Sequence, residues 1–154
     1  MAVTPNTTFV AGAVLTASQM NRFGRGLMVA PSFSTTGGTF TAEAQQLTTT
    51  FTAVSGRSYL VTYSEGTLSG SASATCTARL REDSISGAVM NTSTVTLPTA
   101  FTTNLTVQTI FTASASGSKT IVASLQASTG TGTTTRSSVT LRFPILSVID
   151  IGAS

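Results

Sequence analysis

The sequence predicts an all-β protein, an antiparallel β-sandwich preceded by an N-terminal arm with one short helix. Three observations carry that expectation. Thr and Ser together fill about a third of the 154 positions while only 8% of residues are charged. Threonine is β-branched, which costs it rotamer freedom in a helix and suits it to a pleated strand. From residue 27 onward, short runs alternate apolar and polar side chains with a period of two, the pattern of strands with one face on a core. Gly, Ser and Asn punctuate those runs at close intervals, as in sandwiches and barrels.

The arm, residues 1–26, holds the single convincing helix signal. Thr16 is an N-cap with Gln19 three residues on, and Leu15 and Met20 flank them as a hydrophobic staple. This places a helix from Ala17 to about Phe23, closed by Gly24 and Gly26. The β domain then spans 27–154. Candidate strands are 27–33, 45–54, 58–68, 74–83, 85–90, 94–97, 105–113, 118–127 and 138–150. Leu47, Phe51 and Ala53 share one parity; so do Tyr59, Val61 and Tyr63, then Leu105, Val107 and Phe111, then Ile121, Ala123 and Leu125. The opposite faces are mostly Thr and Ser, as expected of antiparallel sheets rather than of parallel ones, whose strands are apolar throughout. Turn residues fall between the runs at Gly37-Gly38, Ser55-Gly56, Ser69-Gly70, Ser116-Gly117 and Gly130-Thr131-Gly132. Eight or nine strands in this order predict a jelly-roll-like (TNF-like) sandwich. Residues 129–135 read as an exposed loop.

The last run differs. Beyond Pro144, the residues Ile145, Leu146, Val148, Ile149 and Ile151 are apolar on both parities. Proline removes a ladder donor, so the strand should bend there and have both faces covered, one of them by another subunit.

Composition excludes most chemistry. There is no His, which removes the commonest general base and zinc ligand. No metal set and no cofactor loop is present, and Gly24-Arg25-Gly26 lacks the rest of a phosphate-binding motif. Of the five acids, Glu82 and Asp83 are adjacent on a predicted strand and should point to opposite faces, while Glu43, Glu65 and Asp150 are far apart in sequence. A carboxylate pair of the kind glycoside cleavage needs is not expected. Cys76 shares parity with Ala78 and Leu80 and reads as a small core residue. Tyr59 and Tyr63 read as core or interface residues rather than a sugar platform. The three Asn-x-Ser/Thr matches at Asn6, Asn91 and Asn104 are expected by chance in so Thr-rich a chain. The pI is about 9.8, yet the basic residues are scattered from Arg22 to Arg142 without a stripe, so nucleic acid is not an expected partner. No apolar run approaches the 18 residues of a membrane span, and residues 1–6 lack the basic start of a secretory signal, so the expectation is a soluble, non-exported chain. A surface this poor in charge suggests permanent assembly.

Two segments resemble a known group. The run Thr8-Phe9-Val10-Ala11-Gly12-Ala13-Val14-Leu15-Thr16-Ala17-Ser18-Gln19-Met20-Asn21 is similar to the opening of small virion proteins of tailed phages, often labelled minor tail proteins. The end, Leu146-Ser147-Val148-Ile149-Asp150-Ile151-Gly152, resembles the V-x-D-I-G terminus frequent in the same group, above all in phages of actinobacteria. The resemblance covers about 20 residues. It implies a virion component, assembled in the host bacterial cytoplasm, whose arm docks on other virion proteins while the β domain projects, often as a homotrimer. The expected contact residues are Phe9, Leu15, Gln19, Met20, Asn21 and Phe23 in the arm, and Leu146, Val148, Ile149 and Ile151 in the last strand. Three roles follow: a tail-associated structural protein, a capsid decoration or head-fibre protein, and a receptor-binding module for host-surface glycan using loops 84–93 and 128–136. None is an enzyme.

Overall fold

The structure is a computed structural model that describes residues 26–71, 73–136 and 143–153. The arm residues 1–25, with the expected helix, lie outside the described residues. Ten strands follow: β1 (Leu27–Phe33), β2 (Gly38–Phe40), β3 (Ala44–Ala53), β4 (Arg57–Gly70), β5 (Ala74–Glu82), β6 (Val89–Leu97), β7 (Thr103–Thr112), β8 (Gly117–Ala127), β9 (Gly132–Thr134) and β10 (Ile145–Ala153). All pairings are antiparallel. One sheet has the order β1-β10-β4-β7, and the other β3-β8-β5-β6. This is the strand order of a jelly roll, as the sequence predicts.

The two inner faces meet as the parity pattern requires. Tyr59, Val61, Tyr63, Leu105, Val107, Leu146 and Val148 come from the first sheet. Leu47, Phe51, Cys76, Ala78, Leu80, Ile121, Ala123 and Leu125 come from the second. Phe51 stacks against Tyr59 at a centroid distance of 4.9 Å, and the Tyr59 hydroxyl accepts the Val54 N–H at 2.9 Å. Each fully buried large side chain contributes about 1.5–3 kcal/mol relative to exposure.

A strand has two hydrogen-bonding edges. β7 occupies one edge of β4 from Ser58 to Leu68, and β10 occupies the other from Arg57 to Ser64. β9 also pairs with Leu68, so it lies on the β10 edge. β9 and β10 are thus two parts of one broken strand, and β2, which pairs with β9, continues β1 in the same way. At the break, Arg136 donates to Glu65, to Gln46 and to the Thr36 carbonyl.

Two expectations need correction. Residues 85–90 and 94–97 are not two strands: residues 83–88 turn and β6 runs unbroken from Val89. Asp83 takes φ +66°, and the Glu82 N–H bonds the Ala88 carbonyl, which closes the hairpin early. Pairing with β5 then carries the strand through Asn91, since Asn, Thr and Ser all tolerate an edge. Residues 129–135 are not simply an exposed loop, because β9 lies within them and Gly132 and Thr134 are buried. Gly132 abuts the Phe40 ring, so no side chain fits there. The described part of the last strand starts at Ile145; one of its faces is covered within the chain, and Ile145 and Ile151 stay exposed on the other. Residues 138–142 of the expected strand lie outside the described residues.

Candidate interaction surface

Register builds a feature on the outer face of the β1-β10-β4-β7 sheet. Met28 pairs with Ile149, Ile149 with Leu60, and Leu60 with Ile110. Paired residues project on the same side, so the four form one apolar row across four strands. Its ends are open: Met28 is 51% and Ile110 63% exposed. Two registers along, Phe33 (66% exposed) faces Ile145. Between and beyond them lie hydroxyls and amides. Gln108 Nε2 donates to Thr62 Oγ1 at 3.0 Å, and the Ser64–Thr106 and Ser58–Thr112 hydroxyl pairs lie at 3.1 and 3.0 Å. No described residue projecting from this face is charged. Gly26, where the arm meets β1, sits at its rim, and a Cβ there would touch Ile149 Cγ2 at 3.9 Å.

The opposite outer face, on β3-β8-β5-β6, carries polarity with charge. Glu43 Oε1 accepts from Arg81 Nε at 2.7 Å and Ser124 Oγ at 2.6 Å. Its Oε2 accepts from Arg81 Nη2 at 2.7 Å and lies 3.2 Å from Arg79 Nη1. The Arg81 hydrogen bond, helped by Ser124 and the two cations against partial desolvation, holds the Glu43 carboxyl down at about 2. Arg79 also donates to Gln126. A shallow depression lined by Phe40, Thr41, Ala42 and Thr131 opens beside Glu43.

The remaining acids are likewise spent on structure. Asp150 takes a bidentate bond from Arg57, at 2.6 and 2.5 Å, and its Oδ1 also accepts the Gly152 N–H at 3.0 Å. Both side chains are buried, and Gly152 reaches that position with φ +121°. Glu65, fully buried, accepts from Arg136 at 2.6 Å and from the Tyr63 hydroxyl at 3.1 Å. Burial, then the Glu65 charge, pushes the Tyr63 phenol up. Glu82 and Asp83 do not diverge as expected: the left-handed Asp83 leaves the strand, and both carboxylates turn to Lys119. The hydrogen bond it donates to Glu82 raises the Lys119 ammonium. Cys76 is buried in the core, where desolvation pushes its thiol up to about 12, far from a nucleophile.

Of the expected contact residues, Phe9, Leu15, Gln19, Met20, Asn21 and Phe23 lie outside the described residues. Leu146 and Val148 are a correction: both are 0% exposed in the chain's own core, because their parity faces the second sheet, and neither can meet another subunit. Ile149 and Ile151 do project outward. The structure adds Met28, Phe33, Leu60, Ile110 and Ile145 to them. Leu60 stands alone among Ser58, Thr62 and Ser64, and Ile110 alone among Thr106, Gln108 and Thr112. Single apolar residues on polar faces give little signal until register aligns them.

No family model matches the chain, and no curated protein matches it. Among solved structures it is similar to a chain described as "CBM4 structure and function", at 17% identity and TM-score 0.29 over 82% of this chain and 92% of that one. It is also similar to an arabinose-bound α-L-arabinofuranosidase, at 12% identity and TM-score 0.33 over 72% of this chain. The match spans only 18% of the length of that enzyme. Likenesses this weak carry no argument about what the chain does.

Proposed function

We propose that this chain is a non-enzymatic structural subunit of a tailed-phage particle, tail-associated in the manner of a minor tail protein. Its arm, residues 1–26, anchors to neighbouring virion proteins, and its β domain assembles by burying surface. The observation that carries this reading is the uncharged outer face of β1-β10-β4-β7, crossed by the Met28–Ile149–Leu60–Ile110 row and bordered by the start of the arm at Gly26. Exposed apolar surface of this kind marks an association site. The resemblance of residues 8–21 and 146–152 to phage virion proteins supports the same reading. The capsid decoration role is the alternative, with the same mechanism at a different address.

Immunogold labelling of purified particles with an antibody against residues 26–153 tests it. Gold at the tail is the expected outcome. Gold spread over the head moves the protein to the decoration role, and unlabelled particles overturn the proposal. Gold at the tail together with binding of the isolated chain to glycan-coated beads would favour the receptor-binding reading instead.

A further inference from the structure

We infer that the occupant of the β1-β10-β4-β7 outer face is a second copy of this chain. The inference deepens the proposed function by naming the partner of the same surface.

Hydrogen bonding and charge choose the occupant. The polar positions of the face, Ser58, Thr62, Ser64, Thr106, Gln108 and Thr112, are hydroxyls and one amide, each both donor and acceptor. A surface made of such groups is complementary to itself. With no charged side chain among its described residues, two copies of the face approach without like-charge repulsion, whereas a partner selected by charge finds nothing there to pair with. A glycan would want an aromatic plate near the centre, but Phe33, with the Phe143 ring 5.8 Å away, sits at a corner beside Ile145.

Size is consistent. Four strands about 4.8 Å apart, each contributing about seven residues at roughly 3.3 Å, give a flat footprint of about 440 Å². A small specific interface takes about 600 Å² per partner. The side chains standing off the sheet raise the accessible area above the flat figure, and β9 and β2 extend the same sheet beyond these four strands. The edge of the sheet is no substitute: Pro31 sits in the middle of β1 with no N–H to offer a second strand.

The test is the solution mass of the full chain by light scattering after size exclusion, from 1 to 100 µM. Wild type is expected as an oligomer. A Met28→Glu, Ile110→Glu variant charges both exposed ends of the row and is expected to weaken association at least 100-fold. Gln108→Glu, nearly isosteric and exposed, is expected to weaken it as well, and separates loss of association from loss of folding, which circular dichroism checks. Thr50→Glu on the opposite outer face is expected to leave the mass unchanged. A monomeric wild type overturns the inference, as does an oligomer that survives both face variants. Neither result bears on particle labelling, so the inference and the virion reading fail separately.

Discussion

Asp150 is the residue on which the last strand depends, and Asp150→Ala is the change that exposes it. The mutation removes the acceptor of two hydrogen bonds from Arg57 and one from the Gly152 N–H, and leaves the Arg57 guanidinium with a 5% exposed side chain and no counter-charge. Breaking one half of a buried pair costs about 3–5 kcal/mol. For a domain near 150 residues each kcal/mol moves the midpoint by about 2–4 °C, so thermal unfolding should fall by roughly 6–20 °C. Urea unfolding at neutral pH, with the m-value held constant, measures the same loss. The apolar replacement Arg57→Met, Asp150→Leu should recover most of it, because desolvating two charges offsets most of what their attraction supplies. The consequence reaches the surface: β10 carries Leu146 and Val148 inward and Ile145, Ile149 and Ile151 outward, so the strand that is locked at Asp150 is also the centre of the association face. A loss below about 1 kcal/mol for Asp150→Ala, a third of the smallest cost of breaking a buried pair, would refute the reasoning.

Glu43 gives a pH signature. Its carboxyl is held at about 2 in the fold against the ordinary value of 4.5, so the bond network stabilises the native state above about pH 4.5 and that contribution is lost as pH falls toward 2. The shift sets an upper limit near 3 kcal/mol, reduced to about 1–2 by solvent contact, so Glu43→Gln should cost that much at pH 6 and almost nothing at pH 2 in urea titrations. Gly132→Ala drives a methyl group into the Phe40 ring and should cost about 1–3 kcal/mol. Phe40→Leu in the same chain should restore part of it, and an additive double mutant would argue against the contact.

Much of the body was legible because alternation is a local signal. Tyr59, Val61 and Tyr63 or Ile121, Ala123 and Leu125 announce an inner face whatever they pair with, and all six are in the core. What pairing decides was hidden. β2 and β9 are three residues each, built from Gly, Thr and one Phe, and exist because Gly132 lets Phe40 close over it. The two-sided apolar run after Pro144 correctly marked an unusual strand, but parity alone could not say which side was the interior, and Leu146 and Val148 took it. The association face was invisible for a related reason: Leu60 and Ile110 lie 50 positions apart and become neighbours through the β4–β7 register. The V-x-D-I-G ending acquires a physical account: Val148 fills the core, Asp150 holds Arg57, and Gly152 supplies a φ that brings its own N–H back to the carboxylate.

The charges, sorted by place, explain why so polar a protein has an association surface at all. Among the described residues there are five acids, Glu43, Glu65, Glu82, Asp83 and Asp150, and five bases, Arg57, Arg79, Arg81, Lys119 and Arg136, and every one of the ten is in an ion pair. The described residues therefore sum to zero, and the net charge of +3 belongs to Arg22, Arg25 and Arg142, since eight bases less the five described ones leaves those three. A neutral body with its charges tied together has no field to keep like molecules apart. Its exposed surface is left to Thr and Ser, which hydrogen-bond to water or to one another with little preference, and to a few aligned aliphatic side chains. On such a surface the apolar row decides which face is covered.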